Sequence, residues 1–426
     1  MKTKSLPRFA RLCHPAFLRL FLNIWRQLKH DPRCSVRNLV KASRLATGED
    51  KIIRHDGKLV YSSFLPPIPT KAAGQVMRAM DTDGKGLFDA MITGKRTAPL
   101  SMYIAVTERC PYHCAHCSAV GRRHAPDMTT EELKKLLREL QDMGTAIIGL
   151  TGGEPLLRND LCDLLVAIDD RSVSFLFTSG IGLTREKAAA LKAAGLFATG
   201  ISLDHADPAA MDAQRGCPGA FDHAVNAVKH SRAAGLYTMT QTLADRDALL
   251  SGRLLDLVKF SGDIGAHEVR ILETMPTGRL ARIAPDRLMT PADRAELLRF
   301  HAAANRLKHL PKVSVFAHTE DASRFGCGAG TQHSYIDATG NLYPCDFVPL
   351  AFGNIRETPV AALWQDMHHA IGKPRQTCML MELHAKKLFS EASAFPIAPN
   401  DAKAIIAKLD TMNTMPGFYQ QLTEKK

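Results

Sequence analysis

From residue 100 onwards short apolar runs alternate with longer amphipathic stretches, and this alternation constrains the fold more than any other feature of the chain. Strands are predicted at 101–106, 145–150, 173–178, 197–203, 236–242 and 267–272. Helices are predicted at about 129–142, 159–169, 184–194, 218–234 and 248–260, with another at 290–308. Runs such as Ala146–Leu150, apolar throughout, read as strands buried on both faces. Strands of that kind, joined by helical connections, lie parallel with right-handed crossovers. In such folds ligands collect beyond the strands' C-terminal ends.

Two motifs fall at such ends. The first is Thr107-Glu108-Arg109-Cys110-Pro111-Tyr112-His113-Cys114-Ala115-His116-Cys117. Thiolates at Cys110, Cys114 and Cys117 can wrap one corner of a [4Fe–4S] cubane, leaving one iron without a protein ligand and free to chelate a cofactor. Structural zinc is the alternative, but it wants a fourth Cys or His in a second pair. No such pair follows nearby, although His113 and His116 offer ring nitrogens. The second motif, Thr151-Gly152-Gly153-Glu154-Pro155, ends the next strand. Its glycines let backbone approach a ligand closely, and Glu154 offers an acceptor for an ammonium group.

Together these motifs resemble the radical S-adenosylmethionine (SAM) superfamily, with its Cys-x3-Cys-x2-Cys and Gly-Gly-Glu sequences, over residues 100 to about 310. The resemblance implies an α/β fold, a partial (β/α)6 TIM-like barrel with six strand–helix units in place of eight. It implies that Cys110, Cys114 and Cys117 hold a [4Fe–4S] cluster whose free iron binds SAM, while Gly152, Gly153 and Glu154 orient the SAM amino group. His116 falls where many members carry Tyr or Phe against the adenine. Ser202 and Asp204 resemble a fourth-strand motif that contacts SAM or substrate, although Ser and Asp after a strand are common helix caps. Thr178-Ser179-Gly180 resembles a third-strand Thr-Asn-Gly turn. An electron donor such as flavodoxin or ferredoxin would drive cleavage of SAM to methionine and a 5′-deoxyadenosyl radical, with the protein supplying position and excluding water.

A second cysteine set follows the barrel. Cys327-Gly328-Ala329-Gly330 leads to a hairpin turned by Gly340-Asn341, then to Cys345, Gly353-Asn354-Ile355, Ala362-Leu363-Trp364 and Cys378. This resembles the start of the SPASM domain, the auxiliary-cluster extension of peptide-modifying radical SAM enzymes. The pattern departs at Cys378-Met379-Leu380-Met381, where a full SPASM domain carries a Cys-x2-Cys pair, and no cysteine follows. The shortened form resembles the twitch type. It implies a second, auxiliary [4Fe–4S] cluster on Cys327, Cys345 and Cys378, its fourth ligand open between substrate, water, His384 and a more distant group. Cys13, Cys34, Cys162 and Cys217 read as ordinary thiols.

The net charge of +12 is concentrated at the N-terminus, where eleven Lys and Arg against Asp31 give residues 1–45 a charge of +10. Within that stretch Phe17, Leu18, Phe21, Leu22, Ile24, Trp25 and Leu28 recur at helical spacing. Residues 9–29 can therefore lie in a bilayer interface or dock on the protein's own body. Arg19 and Arg26 interrupt the apolar stretch, so it is not read as a signal peptide, and no run approaches the roughly 20 apolar residues of a membrane span. Cysteines in cluster spacings fit a reducing cytoplasm, with peripheral contact at the inner face of the membrane as an addition. No base-reading module accompanies the charge, so a nucleic-acid partner is not expected.

The chain divides into a basic α+β N-terminal region (1–97), a core barrel (98–310), an auxiliary-cluster domain (311–385) and a helical tail (386–426). The N-terminal region carries helices at 15–29 and 35–47, a hairpin at Asp56-Gly57, a Pro-rich linker at 65–69 and two short helices within 70–93. The expected activity is radical SAM modification of a ribosomal peptide, a cofactor precursor or another small molecule. A membrane-associated lipid substrate is the alternative. A non-catalytic iron–sulfur or zinc protein is the rival from another class, and it would have no use for the Gly-Gly-Glu sequence.

Overall fold

The computed structural model describes residues 50–80, 93–119, 125–388, 396–409 and 414–423. The helices expected at 15–29 and 35–47, the amphipathic stretch 9–29 and the region around Gly84 and Gly86 lie outside the described residues. The six expected strands are present as β3 (Ser101–Thr107), β4 (Ile147–Gly152), β5 (Val173–Thr178), β6 (Ala198–Ser202), β7 (Tyr237–Ala244) and β8 (Glu268–Glu273). They pair in parallel in chain order. The sheet then continues at both edges. β9 (Lys312–Val315) adds in parallel to β8, while β10 (His333–Ile336) adds in parallel to β3 and turns back into antiparallel β11 (Leu342–Tyr343). The hairpin of the second cysteine region is thus hydrogen-bonded to the barrel's first strand.

Burial on both faces explains why these strands read so clearly; every residue of β5 is buried. On the outer face Met102, Ile104, Ile148 and Leu150 pack beneath Leu133, Leu136, Leu137 and Leu140 of the helix Thr130–Met143. That helix starts in a reciprocal capping box between Thr129 and Glu132 and stops at Gly144, whose φ of 109° is open to glycine. The inner face is crowded by rings. A Cβ on Gly149 would meet the Tyr103 ring at 2.5 Å, and one on Gly200 would meet Phe177 at 2.6 Å.

The N-terminal hairpin, β1 (Ile53–His55) and β2 (Lys58–Val60), turns at Asp56-Gly57 with φ of 52° and 72°. It closes the barrel's floor. Ile53 and Val60 join Ile147, Phe175, Phe197 and Tyr237 in one buried cluster. Two buried lysines fasten the same region to β9: Lys51 Nζ donates to the carbonyls of Leu310 and Leu307, and Lys312 Nζ to those of Lys51 and Tyr61. Truncating Ile53→Ala should therefore cost about 2–5 kcal/mol, read as a lowered denaturant midpoint. Arg54→Ala, on an exposed side chain between them, should stay within about 0.5 kcal/mol. A cost below about 1 kcal/mol for Ile53→Ala would make the hairpin an appendage and not a floor.

Candidate functional site: a shared cavity at the barrel mouth

The C-terminal ends of β3 to β8 frame a cavity of about 490 Å³. Cys110, Cys114, Cys117, His116, Gly152, Gly153, Ser202 and Asp204 all line it. The three cysteines hang from the loop after β3, and neighbouring segments hold that loop. The His113 and Ala115 N–H groups donate to the carbonyls of Arg215 and Gln214 at 3.1 and 3.0 Å. Arg279 Nη1 donates to the carbonyls of His113 and Cys114 at 2.7 and 3.0 Å. Gly278 also presses against the loop: a Cβ there would lie 2.2 Å from the Cys117 carbonyl oxygen.

The Gly-Gly-Glu motif acts on the same loop. A Cβ on Gly153 would lie 2.3 Å from the Arg109 carbonyl oxygen, and one on Gly152 equally close to that of Thr107. Bare backbone lets the end of β4 nest against the cysteine loop, where the Gly153 N–H donates to Thr107 and the Glu154 N–H to Arg109. Glu154 lies fully buried behind the cavity wall. Its carboxylate accepts from the Thr178 hydroxyl, the Ser179 hydroxyl and the backbone N–H groups of Leu156 and Ser179. Gly152 and Gly153 face the cavity; Glu154 fixes the Thr178-Ser179-Gly180 turn.

Asp204 is the electrostatic centre of the wall. Its carboxylate meets Arg215 Nη2 at 2.6 Å and His116 Nε2 at 3.8 Å, and accepts from the Leu243 N–H at 3.2 Å. Burial works against its charge, but Arg215 and His116 outweigh that and hold its pKa below the usual carboxylate range. His116 is driven down to about 4 by burial, with Asp204 pulling the other way, so the ring is neutral at pH 7. Burial pushes the Cys110 thiol up to about 11 and raises Cys114 despite Arg215, whose Nη1 lies 3.8 Å from its sulfur. Iron would displace those protons, because only thiolates ligate. An all-sulfur donor set suits an iron–sulfur cluster.

The second cysteine set lies outside the cavity lining and reaches it through the residues after Cys345. Cys327 and Cys378 share a group with Glu320, one ligand atom from each lying within 4.8 Å of the others. Cys345 forms a like group with His333 and Asp346, its Sγ 3.3 Å from an Asp346 carboxylate oxygen. Asp346 and Phe347, directly after Cys345, line the barrel cavity. His384, on the helix Met379–Ala385, is in neither group. Cys162 packs against the main core, and the Cys217 sulfur lies 3.6 Å from the Pro218 carbonyl.

Several residues at this site carried no motif. Arg215 ends a helix, Pro208–Arg215, absent from the sequence reading; its signals were an Asp207 cap, Pro208 in the first turn and Gly216 at φ 58°. Arg270, on β8, lines a smaller chamber of about 80 Å³ that shares Thr151, Gly152, Gln241 and Asp346 with the main cavity. Arg270 is fully buried; its Nη2 donates to the Tyr103 hydroxyl at 3.2 Å, while Nε and Nη1 have no hydrogen-bond partner. The rings of Phe177, Phe64 and Phe316 surround its guanidinium at 4.9, 5.3 and 5.2 Å. No local pattern marks such a residue in the sequence.

Comparison with known proteins agrees with this geometry. The model of the radical SAM superfamily matches residues 104–244, and that of the SPASM iron–sulfur cluster-binding domain matches residues 327–379. The chain is 31% identical over 289 residues to the AdoMet-dependent heme synthase of Nitratidesulfovibrio vulgaris, covering 62% of this chain and 78% of that protein. It is 30% identical over 329 residues to the PqqA peptide cyclase of Streptomyces rochei, covering 72% and 88%. Streptococcus suis SuiB bound to S-adenosylmethionine shares the fold, with a TM-score of 0.56 at 16% identity over 72% of this chain and 78% of that one. An α/β enzyme with a partial barrel and an iron–sulfur extension is the class these findings define. The chain belongs to the radical SAM superfamily, and its SPASM/twitch region makes it a member with an auxiliary iron–sulfur site beside the SAM-binding [4Fe–4S] cluster.

The internal bonding of Glu154 sets a test. Glu154→Gln turns one buried acceptor into a donor facing N–H or O–H groups, which should cost about 1–3 kcal/mol and lower the melting temperature of the cluster-free protein. Unchanged stability with weakened SAM binding would instead make Glu154 a direct SAM contact.

Proposed function

We propose that this enzyme cleaves SAM at a cluster held by Cys110, Cys114 and Cys117 and modifies a peptide or cofactor precursor that presents a carboxylate to Arg270. In the same reading Cys327, Cys345 and Cys378 hold the auxiliary cluster, within a domain taken as 311–385. The observation that carries the proposal is the single cavity: Asp346 and Phe347, next to Cys345, line the same space as the first three cysteines. A substrate seated there lies between the two cysteine sets.

A [4Fe–4S] cluster held by Cys110, Cys114 and Cys117, once reduced by a donor such as flavodoxin or ferredoxin, would supply the electron for reductive cleavage of a carbon–sulfur bond of SAM. The protein's own residues orient and enclose. The neutral ring of His116 offers a flat, uncharged wall, Ser202 and Gln241 offer side-chain hydrogen bonds, and the Gly152-Gly153 backbone allows close approach. Arg270 is a buried cation with two unpaired donors, an arrangement that favours an anionic partner entering the small chamber. Support for the substrate class comes from relatives named as a heme synthase, a PqqA peptide cyclase and a mycofactocin maturase. The lipid alternative rests on residues 9–29, outside the described residues; among those described, no helix is long and apolar enough to cross a membrane.

Anaerobic reconstitution and mass spectrometry test the assignment. Reduced protein should form methionine and 5′-deoxyadenosine, and replacing Cys110, Cys114 and Cys117 by Ala should abolish both and remove about half of roughly eight irons per chain. Continued cleavage by the triple variant would overturn the assignment of these cysteines. Arg270→Met should keep uncoupled SAM cleavage while reducing product formation at least about tenfold, the loss of about 1.4 kcal/mol of substrate anchoring. Equal product from Arg270→Met and wild type would remove the carboxylate from the proposal.

A further inference from the structure

Glu320 stands where the auxiliary site needs one more ligand. It follows β9 after the short helical turn Phe316–Thr319, its backbone N–H bonded to the Phe316 carbonyl. That turn delivers its carboxylate to Cys327 and Cys378, with one ligand atom from each of the three within 4.8 Å of the others. Cys327 reaches the same point because its N–H is tied to the Arg375 carbonyl at 2.7 Å, and Cys378 because it begins the helix Met379–Ala385.

The surroundings of this carboxylate are of the wrong sign for an anion left alone. Cys327, Glu273 and Asp346, all acidic groups, lie close enough to act on it. Arg294 is the cation that opposes them, and its Nε is already 3.2 Å from Glu273. Among the described residues the Glu320 carboxylate has no hydrogen-bond or ion-pair partner. A carboxylate gathered with thiols in a half-buried pocket is stabilised by a bound cation. The sequence also leaves room for such a ligand, since Met381 stands where a Cys-x2-Cys pair would supply a further thiolate after Cys378.

We propose that Glu320 is the fourth protein ligand of the auxiliary iron–sulfur cluster, completing its coordination with a carboxylate oxygen beside Cys327, Cys345 and Cys378. The inference rests on the assignment of those three cysteines as cluster ligands. It means that no iron of the auxiliary cluster stays open for substrate, so the substrate is held by the cavity wall and not by the metal.

The test uses the full chain carrying Cys110, Cys114 and Cys117 replaced by Ala, so that only the auxiliary site binds iron, reconstituted without oxygen. The readouts are iron per chain and the electron paramagnetic resonance spectrum of the dithionite-reduced protein, with and without 2-mercaptoethanol. The parent should hold about four irons and give a spectrum indifferent to the added thiol. Adding Glu320→Ala should open one iron, so that the thiol now shifts the spectrum or the iron content falls at least twofold. Glu320→Cys should restore full iron with an altered spectrum that ignores the thiol. One spectrum common to all three proteins, or a parent that already responds to the thiol, would overturn the role of Glu320. A parent without iron would overturn the three-cysteine assignment, and the proposal with it.

Discussion

The buried ion pair between Asp204 and Arg215 is the interaction on which the site depends. Its side chains are 1% and 11% exposed and meet at 2.6 Å. Two charges so far from water are tolerated because each offsets the other, and removing either partner alone strands the other at a cost on the order of 3–5 kcal/mol. The pair also organises its neighbours. Asp204 takes the Leu243 N–H and so ties the end of β6 to β7. Arg215 closes the helix Pro208–Arg215, whose last carbonyls receive the N–H groups of the cysteine loop. One carboxylate therefore links two barrel strands, a crossover helix and the segment bearing Cys110, Cys114 and Cys117.

From that anchor the rest of the cavity follows. The glycines of β4 let its backbone nest against the cysteine loop from one side, and Arg279 with Gly278 closes on it from the other. Glu154 spends its hydrogen bonds on the turn after β5. β10 and β11 extend the barrel sheet past β3, which carries Cys345 to the cavity rim through Asp346. At the opposite end the β1–β2 hairpin seals the floor, so the ringed interior around Arg270 opens toward the mouth.

Much of this was legible in the sequence, and the limits have physical causes. β3 to β8 were readable because burial on both faces leaves near-continuous apolar runs, β5 being the clearest. The cysteine triplet and Gly152-Gly153 were readable because their chemistry lies in local spacing, although the glycines serve chain packing as much as ligand approach. The helix Pro208–Arg215 is hidden from periodicity because it is only eight residues long, with Met211 its one buried side chain. β9 and β10 could not be placed at the sheet's edges, since nothing local says which distant strand a short apolar run will join. Arg270 and Glu320 were invisible for the same reason: each matters through neighbours far away in the chain.

The central claim is that two iron–sulfur centres border one cavity at the barrel mouth. Iron-edge anomalous diffraction from crystals of the reconstituted protein grown anaerobically with SAM tests it most directly. The account predicts two iron peaks, one at Cys110, Cys114 and Cys117 and one at Cys327, Cys345 and Cys378, with SAM density between the first and Ser202. A single peak, iron at the buried Asp50, His301 and His318 group instead, or SAM bound outside the cavity would contradict it.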